Sequence, residues 1–173
     1  MHYRDQNRAS PPPLYTAEER KRRDESPWTL VQGVLAPIQF LVFLVSLALV
    51  LRFLLTGEGF ETATASVVVK TLFLYLIMVT GSIWEKEVFG LYLFARPFFW
   101  EDVFSMLVLA LHTAYLWALF TGALNAAEQM QLALAAYAAY CINATQFLLK
   151  LRAARREQGT AAAFTPASIG LVE

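Results

Sequence analysis

The sequence predicts an all-α integral membrane protein, a bundle of four transmembrane helices in up-down topology with both termini cytoplasmic. Three observations carry that reading. Of 173 residues, 57% are hydrophobic and 16% charged, well under the roughly 25% charged share of a soluble domain. Four apolar segments each approach the ~20 residues that cross a bilayer. Lys and Arg fall on one side of the alternation those segments impose.

The elements follow in order. Residues 1–27 form a polar N-terminal tail, "MHYRDQNRASPPPLYTAEERKRRDESP". It has no apolar run behind a short basic start, so the first span is expected to be retained rather than cleaved. Within the tail, Thr16 and Glu19 stand at capping-box spacing. They predict a short helix on the membrane surface, its basic residues facing anionic headgroups. The four-helix domain covers 28–152. Its first span is predicted at about Trp28 to Leu55, with Ser26 as N-cap, Pro27 at the first helical position and Pro37 as a kink. The second is predicted at Thr64 to Trp84, the third at Glu101 to Phe120, the fourth at Gln131 to Leu151. The connections "TGEGFETA" and "TGALNAAEQM" are short, which makes consecutive spans antiparallel neighbours. Residues 153–173 form a cytoplasmic tail whose "EQGTAAAFTPASIGLVE" lacks periodicity and is expected to be disordered.

Charge placement sets the orientation. Arg4, Arg8, Arg20, Lys21, Arg22 and Arg23 precede the first span, Lys86 and Arg96 lie between the second and third, and Lys150, Arg152, Arg155 and Arg156 close the fourth. The other two connections hold neither Lys nor Arg. This is a multi-pass protein of the cytoplasmic (inner) membrane, with the lipid bilayer as its first partner. The formal net charge is zero, which argues against a nucleic-acid partner. The single Cys141 excludes an intramolecular disulfide or thiolate metal cluster, and with only His2 and His112 a bis-histidine haem is not expected. No cofactor or protein-bound metal motif is present.

The chemistry is expected in "WEKEVFGLYLFARPFFWEDVFSM", residues 84–106, where Glu85, Glu87, Glu101 and Asp102 stand among eight aromatic side chains. Aromatics alone would suit an interfacial belt, but the acids add nothing to membrane anchoring. A carboxyl desolvated by aromatics favours its neutral form, as a general acid requires. Acid with Trp84 and Trp100 also suits a large, flat, apolar substrate with one reacting polar centre. Glu101, Ser105 and His112 share one helical stripe, since eleven steps of about 100° return to nearly the same face. His112 then lies roughly 16 Å beyond Glu101. It is either a functional intramembrane group or a histidine bonded to a neighbouring carbonyl. Lys70 is expected to snorkel outward. Gln39, Asn143 and Gln146 read either as groups facing a substrate or as interhelical glue.

The stretch "GSIWEKEVFGLYLFARPFFWEDVFSMLVLALHTAYL", with "WTLVQGVLAPIQFLVF" before it and "AAYCINATQFLLKLRAARR" after it, resembles the 3-vinyl bacteriochlorophyllide hydratase family. The likeness covers about Leu14 to Arg156. It implies addition of water across the C3 vinyl group of a magnesium chlorin, chlorophyllide a or 3-vinyl bacteriochlorophyllide, giving the 3-(1-hydroxyethyl) product of bacteriochlorophyll a synthesis. The implied substrate is a chlorophyllide-type tetrapyrrole that brings its own magnesium, so no further cofactor is called for. The implied setting includes intracytoplasmic photosynthetic membranes, with a homo-oligomer or neighbouring pathway enzymes as further partners.

Within that reading the expected roles are specific. Glu85, Glu87, Glu101 and Asp102 supply the proton donor and acceptor. Trp84, Trp100, Gln39 and Asn143 line the substrate, and Lys86 or Arg96 meets a propionate at the rim. His112 is the candidate axial ligand to the substrate's magnesium, with the macrocycle spanning the gap to the acids. The competing reading is a non-catalytic membrane carrier or assembly subunit for such pigments. A small multidrug-type transporter fits less well, because no Asp or Glu lies well inside a span. The orientation predicts that a reporter fused after Glu173 reads cytoplasmic and one inserted in "TGEGFETA" reads external; the reverse pattern in a paired-reporter assay would overturn it.

Overall fold

A computed structural model describes residues 14–163, with side chains described as far as Arg155. Arg4, Arg8, the side chain of Arg156 and residues 164–173 of the C-terminal tail lie outside the described residues. The described chain is helical throughout, without strands: α1 (Ala17–Glu25), α2 (Pro27–Thr56), α3 (Phe60–Phe89), a 3-10 turn (Arg96–Phe98), α4 (Phe99–Thr121) and α5 (Ala126–Ala163). Four helices are long and apolar enough to cross a membrane.

The helix starts follow the local chemistry. Thr16 accepts from the Glu19 amide at 3.2 Å and Glu19 accepts from the Thr16 amide at 2.8 Å, completing the capping box of α1. Ser26 caps α2 by accepting from the Trp28 amide at 3.2 Å, with Pro27 directly behind it. α2 continues unbroken past Pro37.

Two helices run several residues longer than expected at both ends. α3 begins at Phe60 and runs to Phe89, so Trp84 to Glu87 are helical and only Gly57 to Gly59 separate it from α2. Gly57 and Gly59, at φ +75° and +83°, permit so tight a reversal. α5 runs on to Ala163, so the start of "EQGTAAAFTPASIGLVE" is helix where disorder was expected.

α2 packs on α3, α4 on α5, and α2 on α5. At the centre lie Val50, Val67, Val108, Tyr115, Met130 and Ala133, all fully buried. Ala133, Ala136 and Ala139 keep the contacting face of α5 small, as close helix packing in lipid favours. Phe43 of α2 lies between Tyr137 and Tyr140, with ring centroids 5.4 and 4.8 Å away. Outward, Leu30, Leu41, Val45, Leu55 and Phe120 are exposed. So large an apolar surface suits lipid rather than water.

Several polar groups inside are bonded across helices, while Gln39 and Gln129 each keep a buried amide end without a partner among the described residues. Ser46 meets Ser66 of α3 at 2.7 Å and Tyr137 of α5 at 2.5 Å, and Gln32 donates to Thr80 at 2.7 Å. Lys70 corrects the snorkelling expectation. It points inward, is fully buried, and its Nζ lies 3.9 Å above the Tyr140 ring without a hydrogen-bond acceptor among the described residues. Its position on α3 follows Val67 by three residues and precedes Leu74 by four, both core residues, so its stem is carried inward with them. A cation–π contact offsets part of the desolvation of an ammonium, not all of it. Lys70→Met, which keeps the stem and removes the charge, is therefore expected to stabilise the bundle by roughly 1 kcal/mol or more. Thermal unfolding in detergent reads this directly, as a higher Tm.

Candidate active site

The four candidate acids lie where α3 ends and α4 begins, and they separate into three environments. Glu85 and Asp102 are buried and lie within hydrogen-bonding reach of each other. A carboxyl–carboxyl contact is bonded only when one partner carries a proton. The chain between the helices wraps over this pair. Asp102 accepts from the Phe94 amide at 2.6 Å, and Glu85 accepts from the Ala95 amide at 3.3 Å. Phe94 is held at φ +62°, a left-handed conformation costing a non-glycine residue about 1–2 kcal/mol. Amide-to-carboxylate bonds are the stronger kind and hold it there.

Glu101 sits beside this pair, on the adjacent face of the first turn of α4. It is buried and accepts from Lys150 of α5 at 2.6 Å. The same ammonium donates to the Pro97 carbonyl and lies 4.9 Å from the Phe98 ring centroid. One side chain thus joins α5 to α4 and to the 3-10 turn. Deeper along the same two faces, Asn143 donates to Ser105 at 2.8 Å. Between α4 and α5 opens a cleft of about 370 Å³ lined by Leu14, Glu101, Gln146, Leu149, Lys150, Ala153 and Ala154. Of the four acids, Glu101 alone lines it.

Glu87 does not join the group. It is exposed and accepts from the Ser26 hydroxyl at 2.6 Å, fastening the end of α3 to the cap of α2. Trp84 is part of the same fastening, because its indole N–H donates to Thr29 at 2.9 Å. Its ring packs edge-on against Phe89 and Phe98, in a cluster completed by Tyr15, which stacks on Phe89 at 5.8 Å. Trp100 and Arg96 are exposed, and Lys86 donates to the Gly90 carbonyl at 2.9 Å while lying over Tyr92.

His112 shares the stripe with Glu101 and Ser105 as expected, but it is sealed in the bundle with no exposed surface. Its Nδ1 meets the Val108 carbonyl at 2.8 Å and its ring packs on Tyr137. The Ser105–Asn143 contact lies on this stripe between His112 and the acids. Gln39 is likewise buried, deep on α2, and is absent from the cleft lining. Gln146, read from the sequence as either facing a substrate or interhelical glue, lines the cleft, and Lys150 stands in its wall without having been singled out for it. Their signal was spacing: Asn143, Gln146 and Lys150, three and four apart, form one polar face of α5.

Lys150→Met leaves the Glu101 carboxylate buried without its cation. Breaking a buried pair costs about 3–5 kcal/mol; the partial exposure of Lys150 lowers the expected loss to roughly 2. The double variant Glu101→Gln/Lys150→Met is expected to regain most of it. Equal melting temperatures for the two variants would show that the pair is not what holds α4 and α5 here.

Comparison with known proteins agrees with the family resemblance of the sequence. No solved structure matches the chain. A protein named 2-vinyl bacteriochlorophyllide hydratase from Rhodobacter capsulatus is 71% identical over 142 residues, covering 82% of both chains. One of the same name from Cereibacter sphaeroides is 67% identical over 148 residues, covering 86% of this chain and 92% of its own length. Residues 15–153 match the family model described as 2-vinyl bacteriochlorophyllide hydratase. With that match extending from Tyr15 of the aromatic cluster past Lys150 of the cleft, the chain belongs to the 2-vinyl bacteriochlorophyllide hydratase family.

Proposed function

We propose that this protein is a membrane hydro-lyase that adds water across the vinyl group of a magnesium chlorin in bacteriochlorophyll synthesis. Family membership at 67–71% identity is the observation that carries the reaction. The site supplies a chemical route. Markovnikov hydration needs a proton on the terminal vinyl carbon, a group that tolerates the resulting cation, and a base for the water that attacks it.

Glu101 is the acid that faces the cleft, and we assign it the contact with the vinyl group. The Glu85–Asp102 pair, close enough to Glu101 to act on it electrostatically, is the proton store behind it. A proton passes from the pair through Glu101 to the terminal carbon, as the vinyl π electrons form the new C–H bond. The cation left on the inner carbon is delocalised into the macrocycle and faces the Glu101 carboxylate, whose charge stabilises it. Water bonds to that carbon and gives its proton to Glu101, from which the pair is refilled. No cofactor enters this route; the magnesium belongs to the substrate.

At about 370 Å³ the cleft lies at the low end of the roughly 300–1,000 Å³ typical of ligand sites. It suits one edge of a tetrapyrrole, with the rest of the ring lying on the apolar helix faces. We place the protein in the cytoplasmic membrane, including intracytoplasmic photosynthetic membranes, in an up-down arrangement with both termini cytoplasmic. The carboxylate side of the substrate then meets the basic rim of Lys86 and Arg96.

Membranes containing the protein, incubated with chlorophyllide a, are expected to give a blue-shifted product heavier by one water. A carrier would return the pigment unchanged. Glu101→Gln should lower turnover by roughly 10²-fold or more with pigment still bound, whereas Glu87→Gln should act on stability and leave turnover near wild type. Loss of turnover in Glu87→Gln alone would move the chemistry to the other side of α3.

A further inference from the structure

Two amide side chains below the cleft mouth are built in a way that the fold does not explain. Asn143 is buried, and one end of its amide bonds Ser105 of α4 while the other, Oδ1, has no protein partner among the described residues. Gln146, three residues on and therefore on the same face of α5, has its Oε1 buried without a partner too. Turning either amide over exchanges oxygen for nitrogen and leaves the count unchanged: one polar end per residue remains unbonded by protein. Two such ends, one helical turn apart, are a costly arrangement; Gln39 and Gln129 also keep an unpartnered buried amide end, but neither lines the cleft. Gln146 lines the cleft beside Glu101 and Lys150.

Resting on the hydration reading above, we propose that Asn143 and Gln146 form the berth of the reacting water. With Gln146 turned so that its amide N–H faces the berth, the water accepts from Gln146 and donates to Asn143 Oδ1, which leaves it one O–H for Glu101 and one lone pair for the carbon. Water suits the berth because it is the smallest molecule able to satisfy two buried polar ends together. The step balances: the water oxygen forms a C–O bond to the inner carbon of the protonated vinyl group. Its O–H bond breaks toward the Glu101 carboxylate, and the positive charge on carbon is quenched. Asn143 and Gln146 exchange no proton. They orient the nucleophile, and Ser105 holds Asn143 in register.

The berth can be separated from the acid. Protonation of the vinyl carbon is reversible, so in D2O the protein exchanges terminal vinyl hydrogens for deuterium whenever a cation forms and reverts. Full-length Gln146→Met and Asn143→Leu, in membranes with chlorophyllide a in D2O, are expected to bind pigment and still place deuterium in the recovered vinyl substrate. Hydration itself should fall by about 10²-fold, because an unheld water is misplaced at the reacting carbon. Variants that bind pigment and hydrate at the wild-type rate overturn the berth. So do variants that lose exchange and hydration together, since they then act through Glu101. If the wild type binds pigment and shows neither hydration nor exchange, the reaction assignment itself falls. A high-resolution experimental density map of the wild type gives a second reading that needs no variant. Water bridging the two amides supports the berth, and protein donors or acceptors on both free ends overturn it.

Discussion

The Lys150 ammonium holds the acidic end of this molecule together. It reaches from α5 to a carboxylate of α4, to the carbonyl of Pro97 and to the ring of Phe98. Apart from the Asn143–Ser105 bond, these segments meet through apolar contacts, which are directionless in lipid. A charge-assisted bond in a poorly hydrated site supplies the direction. Without it the 3-10 turn would lose its tie to α5, and the Phe98 ring that closes the aromatic cluster would lose its seat.

The division among the acids follows from helix geometry. Glu85 and Glu87 are two residues apart on α3, so their side chains point about 200° apart and cannot enter one site. Glu85 turns inward to Asp102, while Glu87 turns outward to Ser26. Glu101 and Asp102, one residue apart, point about 100° apart. One therefore reaches the α5 cleft and the other reaches α3. The acids form a short line from the wrapped loop to the cleft, with Glu101 at its open end. That loop is held by backbone amides given to the pair, and the strained Phe94 marks how firmly.

The spans were legible because crossing a bilayer is a property of averaged composition, and the caps because Thr16, Glu19, Ser26 and Pro27 act through their immediate neighbours. The helix ends were read short, since α3 runs on through Trp84, Glu85, Lys86 and Glu87, where hydropathy falls but helix propagation does not. Orientation about the helix axis was the harder quantity. Lys70 was assigned to lipid, though its core neighbours Val67 and Leu74 already placed its face inward. The separation of Glu87 from the other acids was readable by the same arithmetic. The Glu101–Lys150 pair was not, because it depends on how far α4 and α5 slide past each other, which no local pattern records.

That slide is fixed at several levels by unlike means. At the acidic end it is set by Lys150, one turn or two deeper by Ser105 with Asn143, and further in by His112 packed on Tyr137. Further along the core, Tyr115 and Met130 pack beside Ala133. Bonded polar contacts fix register in lipid better than apolar ones, because a one-residue slip breaks a hydrogen bond outright whereas an apolar contact is merely exchanged for another. The polar contacts between α4 and α5 lie toward the cleft, and the far half of the interface is apolar. The precision is therefore concentrated around the Glu101 end of the cleft, and the rest of the bundle needs only to be apolar and well packed. On this view His112 serves register: its imidazole is a rigid, flat wedge tied to its own helix through Val108, and it meets α5 as a packing surface on Tyr137.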